Sequence, residues 1–278
     1  MDQKIGNPLA KHFRQPAIYL KLPSGGKFWP QKTLNLPPNG EIPIFPMTAQ
    51  DEILLKTPDA LMNGEGMLSV IQSCCPNIID ARQMPSVDID AVLLAIRIAS
   101  YGNQMEFDVV CPSCQEELSY NIDVQEILSR IRMPTFQPFY LKGLTFNFKP
   151  QPYSSVNDIA LRNFEESRIV QTLNNENISI EEKKRIIDAQ VKRLTNISVN
   201  SLANSTESIT TADGTVVTNL DQITEFYHNC ESKILKDVQG QLNKLFDSIS
   251  IKSQQANCSK CQVLLEVPLE FNNSNFFV

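Results

Sequence analysis

Two Cys-x-x-Cys pairs constrain the fold of this chain more than any other feature. They are Cys111 with Cys114 and Cys258 with Cys261, and each lies between two runs whose alternating polarity is typical of β-strands. A tetrahedral zinc ion takes four thiolate ligands at about 2.3 Å, and a tight turn with this spacing supplies two of them. The two pairs together therefore predict one structural Zn²⁺ per chain, bound by four thiolates.

Other roles for the same cysteines remain open on the sequence alone. They are ordinary buried thiols, a redox dithiol, or the ligands of an iron–sulfur cluster. A redox dithiol is disfavoured because neither pair opens a helix after a strand. Gln115 and Gln262 directly follow the pairs, where the commonest zinc turn has glycine. Four thiolates would leave a zinc ion no open coordination position, which argues against catalysis there.

The separation of the two pairs decides the predicted organisation of the chain. Residues 115–257 lie between them, so a ribbon that uses both pairs must be interrupted by the intervening chain. We predict an α+β fold with an N-terminal extended arm and helices, and a discontinuous zinc ribbon with a mainly helical insertion. The predicted units are residues 1–47 for the proline-rich arm, 48–102 for the helical region, 103–122 plus 250–271 for the split ribbon, and 123–249 for the insertion.

Prolines and glycines punctuate the N-terminal arm and exclude a long helix there. Phe28, Trp29 and Phe45 lie in this arm, and buried aromatic side chains tend to dominate the energy of protein interfaces. We predict these three as partner-binding residues. Packing of Phe28 and Trp29 against the chain's own helices is the open alternative.

The paired carboxylates of the helical region are predicted to cap helices. Asp51 with Glu52, and Asp88 with Asp90, fall in the first turns of predicted helices. Carboxylates there accept hydrogen bonds from free backbone N–H groups and favour the positive end of the helix dipole. Only two histidines are present in the chain, so few side chains are available for histidine-based acid–base catalysis. We therefore expect no enzymatic activity.

Three helices and one β-hairpin are predicted within the insertion. Helices are expected near Ser155–Leu173 and Ser179–Leu194, the second of which starts with a capping box. A β-hairpin is expected near residues 207–218 around Asp213-Gly214. An apolar stripe at helical spacing predicts one long helix over Leu220–Ile249.

Composition and charge exclude several classes of protein. Hydrophobic residues make up 42% of the chain and charged residues 20%, which is ordinary globular usage and argues against disorder. The net charge of −6 gives no electrostatic footprint for a nucleic-acid partner. No run of about 18 apolar residues exists, so no membrane segment is predicted. The first residues lack the apolar stretch of a signal peptide, so we expect a protein made inside the cell.

Four stretches of the sequence resemble a known family. The region from Leu22 to Cys114 resembles the baseplate hub proteins of T4-like contractile-tailed bacteriophages, a family that includes a hub subunit and a hub assembly factor. The stretches that carry the resemblance are LPSGGKFWP, FPMTAQDEILLKTPDALMNGEGMLSVIQSC, DIDAVLLAIRIASYG and CPSC.

The resemblance implies a structural component of the baseplate hub that acts through protein–protein contacts and has no catalytic residues. Its partners would be other baseplate hub and tail proteins, and a homo-oligomer within the hub is also compatible with the family. Its location would be the tail baseplate of the virion, after assembly in the host cytoplasm. The alternative is an assembly chaperone for the hub that leaves before the virion is complete.

Overall fold

The computed structural model describes residues 7–56, 64–156, 185, 196–247 and 253–268. Within these ranges the chain combines α-helices with antiparallel β-sheets, as expected for an α+β fold. Two separate hydrophobic cores organise the elements. None of the helices in the described ranges is long and apolar enough to cross a membrane.

The N-terminal segment lies on the first core as a two-stranded sheet. A 3-10 turn covers Pro8–His12, and strand β1 (Ile18–Lys21) pairs antiparallel with β2 (Glu41–Ile44). The alternation of side chains along β2 directs Ile42 and Ile44 inward, where both are fully buried. The strands of this segment therefore contribute directly to the first core.

Three helices fill the first core. They are α1 (Ala49–Leu55), α2 (Glu65–Cys74) and α3 (Ser86–Tyr101). The capping predicted at Asp51 is confirmed, because Thr48 Oγ1 accepts the backbone N–H of Asp51 at 3.2 Å and the Asp51 carboxylate accepts the backbone N–H of Thr48 at 2.8 Å. Most side chains of α3 are buried, which explains why apolar residues occupy nearly all of its faces.

Two β-hairpins, each with one cysteine pair, join the first core from distant parts of the sequence. Strand β3 (Gln104–Val110) pairs with β4 (Glu117–Asp123), which runs directly into α4 (Val124–Arg130). Strand β9 (Ser253–Asn257) pairs with β10 (Leu264–Pro268). The buried residues that these two hairpins add to the core are Met105, Cys111, Ile122, Cys258, Leu265 and Val267.

The second core lies between a four-stranded antiparallel sheet and helices. The strand order is β5 (Phe139–Leu141), β6 (Leu144–Phe148), β7 (Thr206–Thr210) and β8 (Val216–Val217). The helices are α5 (Leu220–Asn229) and α6 (Ser232–Asp247), with a further helix over residues 196–205. The buried side chains of this core include Phe146, Phe148, Leu202, Ile223, Tyr227 and Val238.

The prediction of one long helix from residue 220 to residue 249 is wrong. Helix α5 ends where Cys230 takes an extended conformation, with φ of −73° and ψ of 163°, and α6 begins at Ser232. The residues around this break are weak helix formers. Glu231, within the break, forms an ion pair at 2.5 Å with Lys142 of the β5–β6 turn. Local propensity therefore ended a helix that the apolar stripe alone predicted as continuous, and the exposed ion pair of Glu231 accompanies the break.

The helices predicted near Ser155–Leu173 and Ser179–Leu194 lie mostly outside the described residues. The described parts of these predictions, residues 155–156 and residue 185, are helical. Strands β7 and β8 pair across the turn that contains Asp213 and Gly214.

Candidate metal centre

The four predicted ligands come together at the tips of the two hairpins. Cys111 and Cys114 lie on the turn between β3 and β4, while Cys258 and Cys261 lie on the turn between β9 and β10. Their four Sγ atoms all lie within 4.8 Å of one another. The first cysteine of each pair is fully buried and the second is half-buried. The structure thus places all four thiols around one point.

The sulfur spacing suits a single tetrahedral metal ion. Metal–sulfur bonds of about 2.3 Å at tetrahedral angles hold neighbouring sulfur atoms about 3.8 Å apart. The Cys111–Cys261 and Cys114–Cys258 sulfur pairs are each separated by 3.7 Å. An iron–sulfur cluster fits less well, because its cysteines bind different iron atoms and therefore lie further apart. The residues fit one ion, and four bound thiolates would leave it no open position.

Matched backbone hydrogen bonds give the two cysteine turns the same shape. The N–H of Cys111 donates to the carbonyl of Glu116 at 2.8 Å, and the N–H of Gln115 donates to the carbonyl of Cys111 at 2.9 Å. The equivalent two bonds, both 2.9 Å, recur around Cys258. Gln115 and Gln262 have φ of 58° and 60°, in the left-handed region that glycine adopts at least cost. The two glutamines therefore occupy the glycine position of the turn without altering it.

Backbone N–H groups in the turns point at the sulfur atoms and favour their ionised form. The N–H of Cys261 lies 3.5 Å from the Sγ of Cys258, and this hydrogen bond is the main cause that lowers the pKa of Cys258 to about 6. The pKa of Cys111 is also lowered, chiefly by the backbone N–H of Cys114. Metal ions bind thiolates rather than thiols. The turns therefore favour the thiolate at Cys111 and Cys258. The backbone N–H of Glu116 acts in the same direction on Cys114, but burial and the neighbouring thiols outweigh it and raise the pKa of Cys114 to about 12.

Contacts between the hairpins hold the two turns face to face. The hydroxyl of Tyr120 on β4 donates to the carbonyl of Asn257 on β9 at 2.9 Å. Lys260 forms an ion pair with Glu116 across the same junction, although an exposed pair of this kind adds little stability. Two short hairpins bury too little surface to associate firmly by themselves. A metal bound by both turns would therefore supply much of the energy that joins them.

Phe28, Trp29 and Phe45, predicted to bind a partner, are each half-buried in the structure. The Phe28 ring packs edge-on against Phe136, with centroids 5.7 Å apart. The guanidinium group of Arg14 lies 5.9 Å from the centroid of the Phe45 ring. Phe28 and Trp29 line one groove, whereas Phe45 does not line it. The structure brings two of the three residues together, and their role in binding a partner stays a prediction.

Asp88 does not cap α3, contrary to the prediction for that carboxylate pair. Its side chain is fully buried and accepts the backbone N–H of Ser24 at 2.8 Å, the Ser24 hydroxyl at 2.5 Å and the Trp29 indole N–H at 2.9 Å. Burial raises the pKa of Asp88, and the hydrogen bonds from Ser24 and Trp29 oppose that rise. Because Ser24 and Asp88 are 64 positions apart, no local sequence signal could have shown that they pair.

The Ser-Gly-Gly turn positions the residues that Asp88 binds. Gly25 and Gly26 have φ of 61° and 83°, which glycine adopts without steric cost. A Cβ atom on Gly26 would also lie only 2.9 Å from Cδ2 of Leu36. The backbone conformation therefore favours glycine at Gly26, and a larger residue would also have to displace the end of the Leu36 side chain.

Comparison with known proteins gives one match. No curated protein matches the chain, and no solved structure matches it. The family described as T4 bacteriophage base plate protein matches residues 16–278. This match spans both hydrophobic cores and both cysteine pairs, so it extends well beyond the stretches that carry the resemblance in the sequence. The chain therefore belongs to the T4 bacteriophage base plate protein family.

Proposed function

We propose that this protein is a structural component of the baseplate hub and that it acts through contacts with neighbouring baseplate and tail proteins. The observation that carries the proposal is the family match over residues 16–278. The assignment to the hub is supported by the resemblance of the Leu22–Cys114 region to baseplate hub proteins.

A role through contacts rather than catalysis agrees with the chemistry of the described residues. Within them, the four-cysteine cluster is the one group of His, Cys, Asp and Glu side chains that could hold a metal ion. A tetrahedral site with four thiolates has no position for water or a substrate. The carboxylate of Asp51 accepts hydrogen bonds at the start of α1, and that of Asp88 is fully engaged by Ser24 and Trp29. These carboxylates have structural roles.

The metal proposed for the cysteine cluster is Zn²⁺, and the hairpins that carry it are the two halves of a split zinc ribbon. Soft thiolate ligands in tetrahedral geometry suit zinc, which has no redox chemistry and no preferred geometry of its own. When bound, zinc supplies only a structural link. The cysteine turns orient the thiolates through backbone hydrogen bonds, and the first core excludes water from Cys111 and Cys258.

Quantitative mass spectrometry of purified intact phage particles tests the hub assignment. A structural subunit is expected at a fixed copy number per particle, alongside the other baseplate proteins. Free baseplates isolated before the tail tube is added should contain the same number of copies. An assembly chaperone would instead be abundant in infected cells and absent from finished particles, and that result would overturn the structural assignment.

A further inference from the structure

A groove of about 350 Å³ lies where the two hydrophobic cores meet. One wall is formed by residues 28–30, the segment bonded to Asp88, and by Pro85, which precedes α3. The other wall is formed by Lys149, Pro150 and Pro152, which follow β6. Aromatic and proline rings dominate its surface. The apolar lining residues are Phe28, Trp29, Pro30, Pro85, Pro150 and Pro152. Its size falls at the lower end of the range for ligand-binding pockets.

The aromatic wall of the groove is held in a fixed arrangement. Trp29 is anchored by its hydrogen bond to the buried carboxylate of Asp88. Phe28 has φ of 67°, a left-handed conformation that is costly for a bulky side chain. Such strain persists only where the surrounding structure imposes it, and it is concentrated at functional sites. The two rings are therefore presented to the groove without the cost of ordering them on binding.

Much of the backbone beside the groove has no free N–H group with which to extend a β-sheet into a partner. The N–H of Lys149 donates to the carbonyl of Ser205, that of Ser86 to Gln151, and that of Tyr153 to Met84. The proline residues of the lining have no N–H group to offer. Strand addition, which depends on free main-chain donors, is therefore disfavoured along the wall that contains Lys149 and the prolines. A helix would need a longer surface for side chains spaced one turn apart.

Packing against rings is the binding mode that the lining of the groove favours. An extended polyproline II segment has no internal hydrogen bonds and binds in grooves lined by aromatic side chains. Gln83 and two charged residues, Lys149 and Glu207, complete the lining. Within the described part of the chain neither Lys149 nor Glu207 forms an ion pair. Glu207 is exposed, so its carboxylate is available to a basic side chain on the bound segment.

We propose that this groove binds an extended, proline-containing segment of another polypeptide, with a basic side chain of that segment opposite Glu207. The proposal rests on the proposed function, because it names the surface through which a baseplate component would hold one neighbour. The rings of Phe28 and Trp29 contact the prolines of the segment. Lys149 donates to a main-chain carbonyl of the segment, since those oxygens are free in polyproline II.

Fluorescence titration of the full chain tests the groove, because Trp29 is its single tryptophan. The probe is a synthetic peptide of six prolines flanked by arginines, and the comparison peptide carries glycine and serine in place of the prolines. We expect a saturable change in tryptophan emission with the proline peptide and none with the comparison peptide. No saturable change with the proline peptide, or equal changes with both peptides, would overturn the proposal.

A charge reversal at Glu207 tests the predicted orientation of the bound segment, whose basic side chain should lie opposite Glu207. Glu207→Lys should weaken binding of the arginine-flanked peptide by about tenfold or more, and it should strengthen binding of a proline peptide flanked by glutamates. Glu117→Lys is the matched control, because Glu117 is also an exposed strand residue and does not line the groove. Equal effects of the two substitutions would contradict the role of Glu207. If the peptides fail to bind but intact particles contain the chain, the groove proposal falls and the hub function stands.

Discussion

At the scale of single residues, Asp88 has the largest structural role outside the cysteine cluster. A fully buried carboxylate is costly unless hydrogen-bond donors compensate for its lost hydration, and Ser24 and Trp29 provide three such donors. Asp88 thereby joins the Leu22–Pro30 segment to α3. The same contact fixes Trp29 beside the groove.

Asp88→Asn should lower the free energy of unfolding by about 2–3 kcal/mol, because it removes charge-assisted hydrogen bonds and turns an amide N–H toward a donor. Urea unfolding followed by tryptophan emission would measure the loss, and Trp29 in the folded variant should become more exposed. Asp221→Asn is the matched control, since Asp221 is an exposed carboxylate in the first turn of α5. Its loss should cost less than about 1 kcal/mol. Equal losses for the two variants would contradict the account.

At the scale of elements, the two cysteine hairpins depend on each other. Strands β3 and β4 contact the C-terminal hairpin through Tyr120 and through the ion pair of Glu116 with Lys260. Both of these contacts are polar, and the ion pair is exposed. The four thiols are the strongest link that the elements can form once a metal is bound.

Cys258→Ser should reduce bound zinc well below one ion per chain and lower the melting temperature, because a serine hydroxyl is a poor zinc ligand. Elemental analysis of the purified protein, together with thermal melting, measures both effects. Cys230→Ser is the matched control, since Cys230 is a half-buried thiol outside the cluster and its loss should leave the metal content unchanged. Unchanged metal content and melting in Cys258→Ser would refute a four-thiolate site.

The parts of the structure that could be predicted from the sequence are those with a local signal. The cysteine turns, the capping box at Thr48 and Asp51 and the helix of α3 follow from spacing, capping residues and period. The break at Cys230 could not be predicted because the apolar stripe continues across it. The role of Asp88 could not be predicted because its partners lie 64 and 59 positions away. A contact between residues far apart in the chain cannot be recognised in a single sequence unless both residues belong to a recognisable motif, as the four cysteines do.

At the scale of the whole molecule, aromatic rings and hydrogen bonds join the parts of the chain that carry the two cores. Phe136, which packs on the second core with Phe246, also contacts Phe28 of the N-terminal segment, and its ring centroid lies 5.7 Å from that of Phe28 and 6.4 Å from that of Phe246. Gln151 accepts the N–H of Ser86 at 2.7 Å, and its side chain donates to Ser205 Oγ at 2.6 Å. The cysteine cluster belongs to the first core alone. Metal binding should therefore stabilise the two cores unequally.

Removal of the metal with a chelator should split the thermal unfolding of the protein. The transition of the first core is expected to fall by at least about 5 °C, while the transition of the second core stays in place. Scanning calorimetry measures the two transitions, and amide exchange assigns them to β3–β4 and to β6–β7. The Cys258→Ser variant should show no further shift with the chelator. An equal shift of both cores would show instead that they unfold as one unit.

The position of the two cysteine pairs also sets an order of events during synthesis. Cys111 and Cys114 are synthesised well before Cys258 and Cys261. The β9–β10 hairpin can therefore join the first core only after the residues of the second core have been made. A chain whose translation stops within the second core has only two of the four thiolates and cannot complete the site. A metal held by all four thiolates would therefore mark a chain in which the β9–β10 hairpin has already been made.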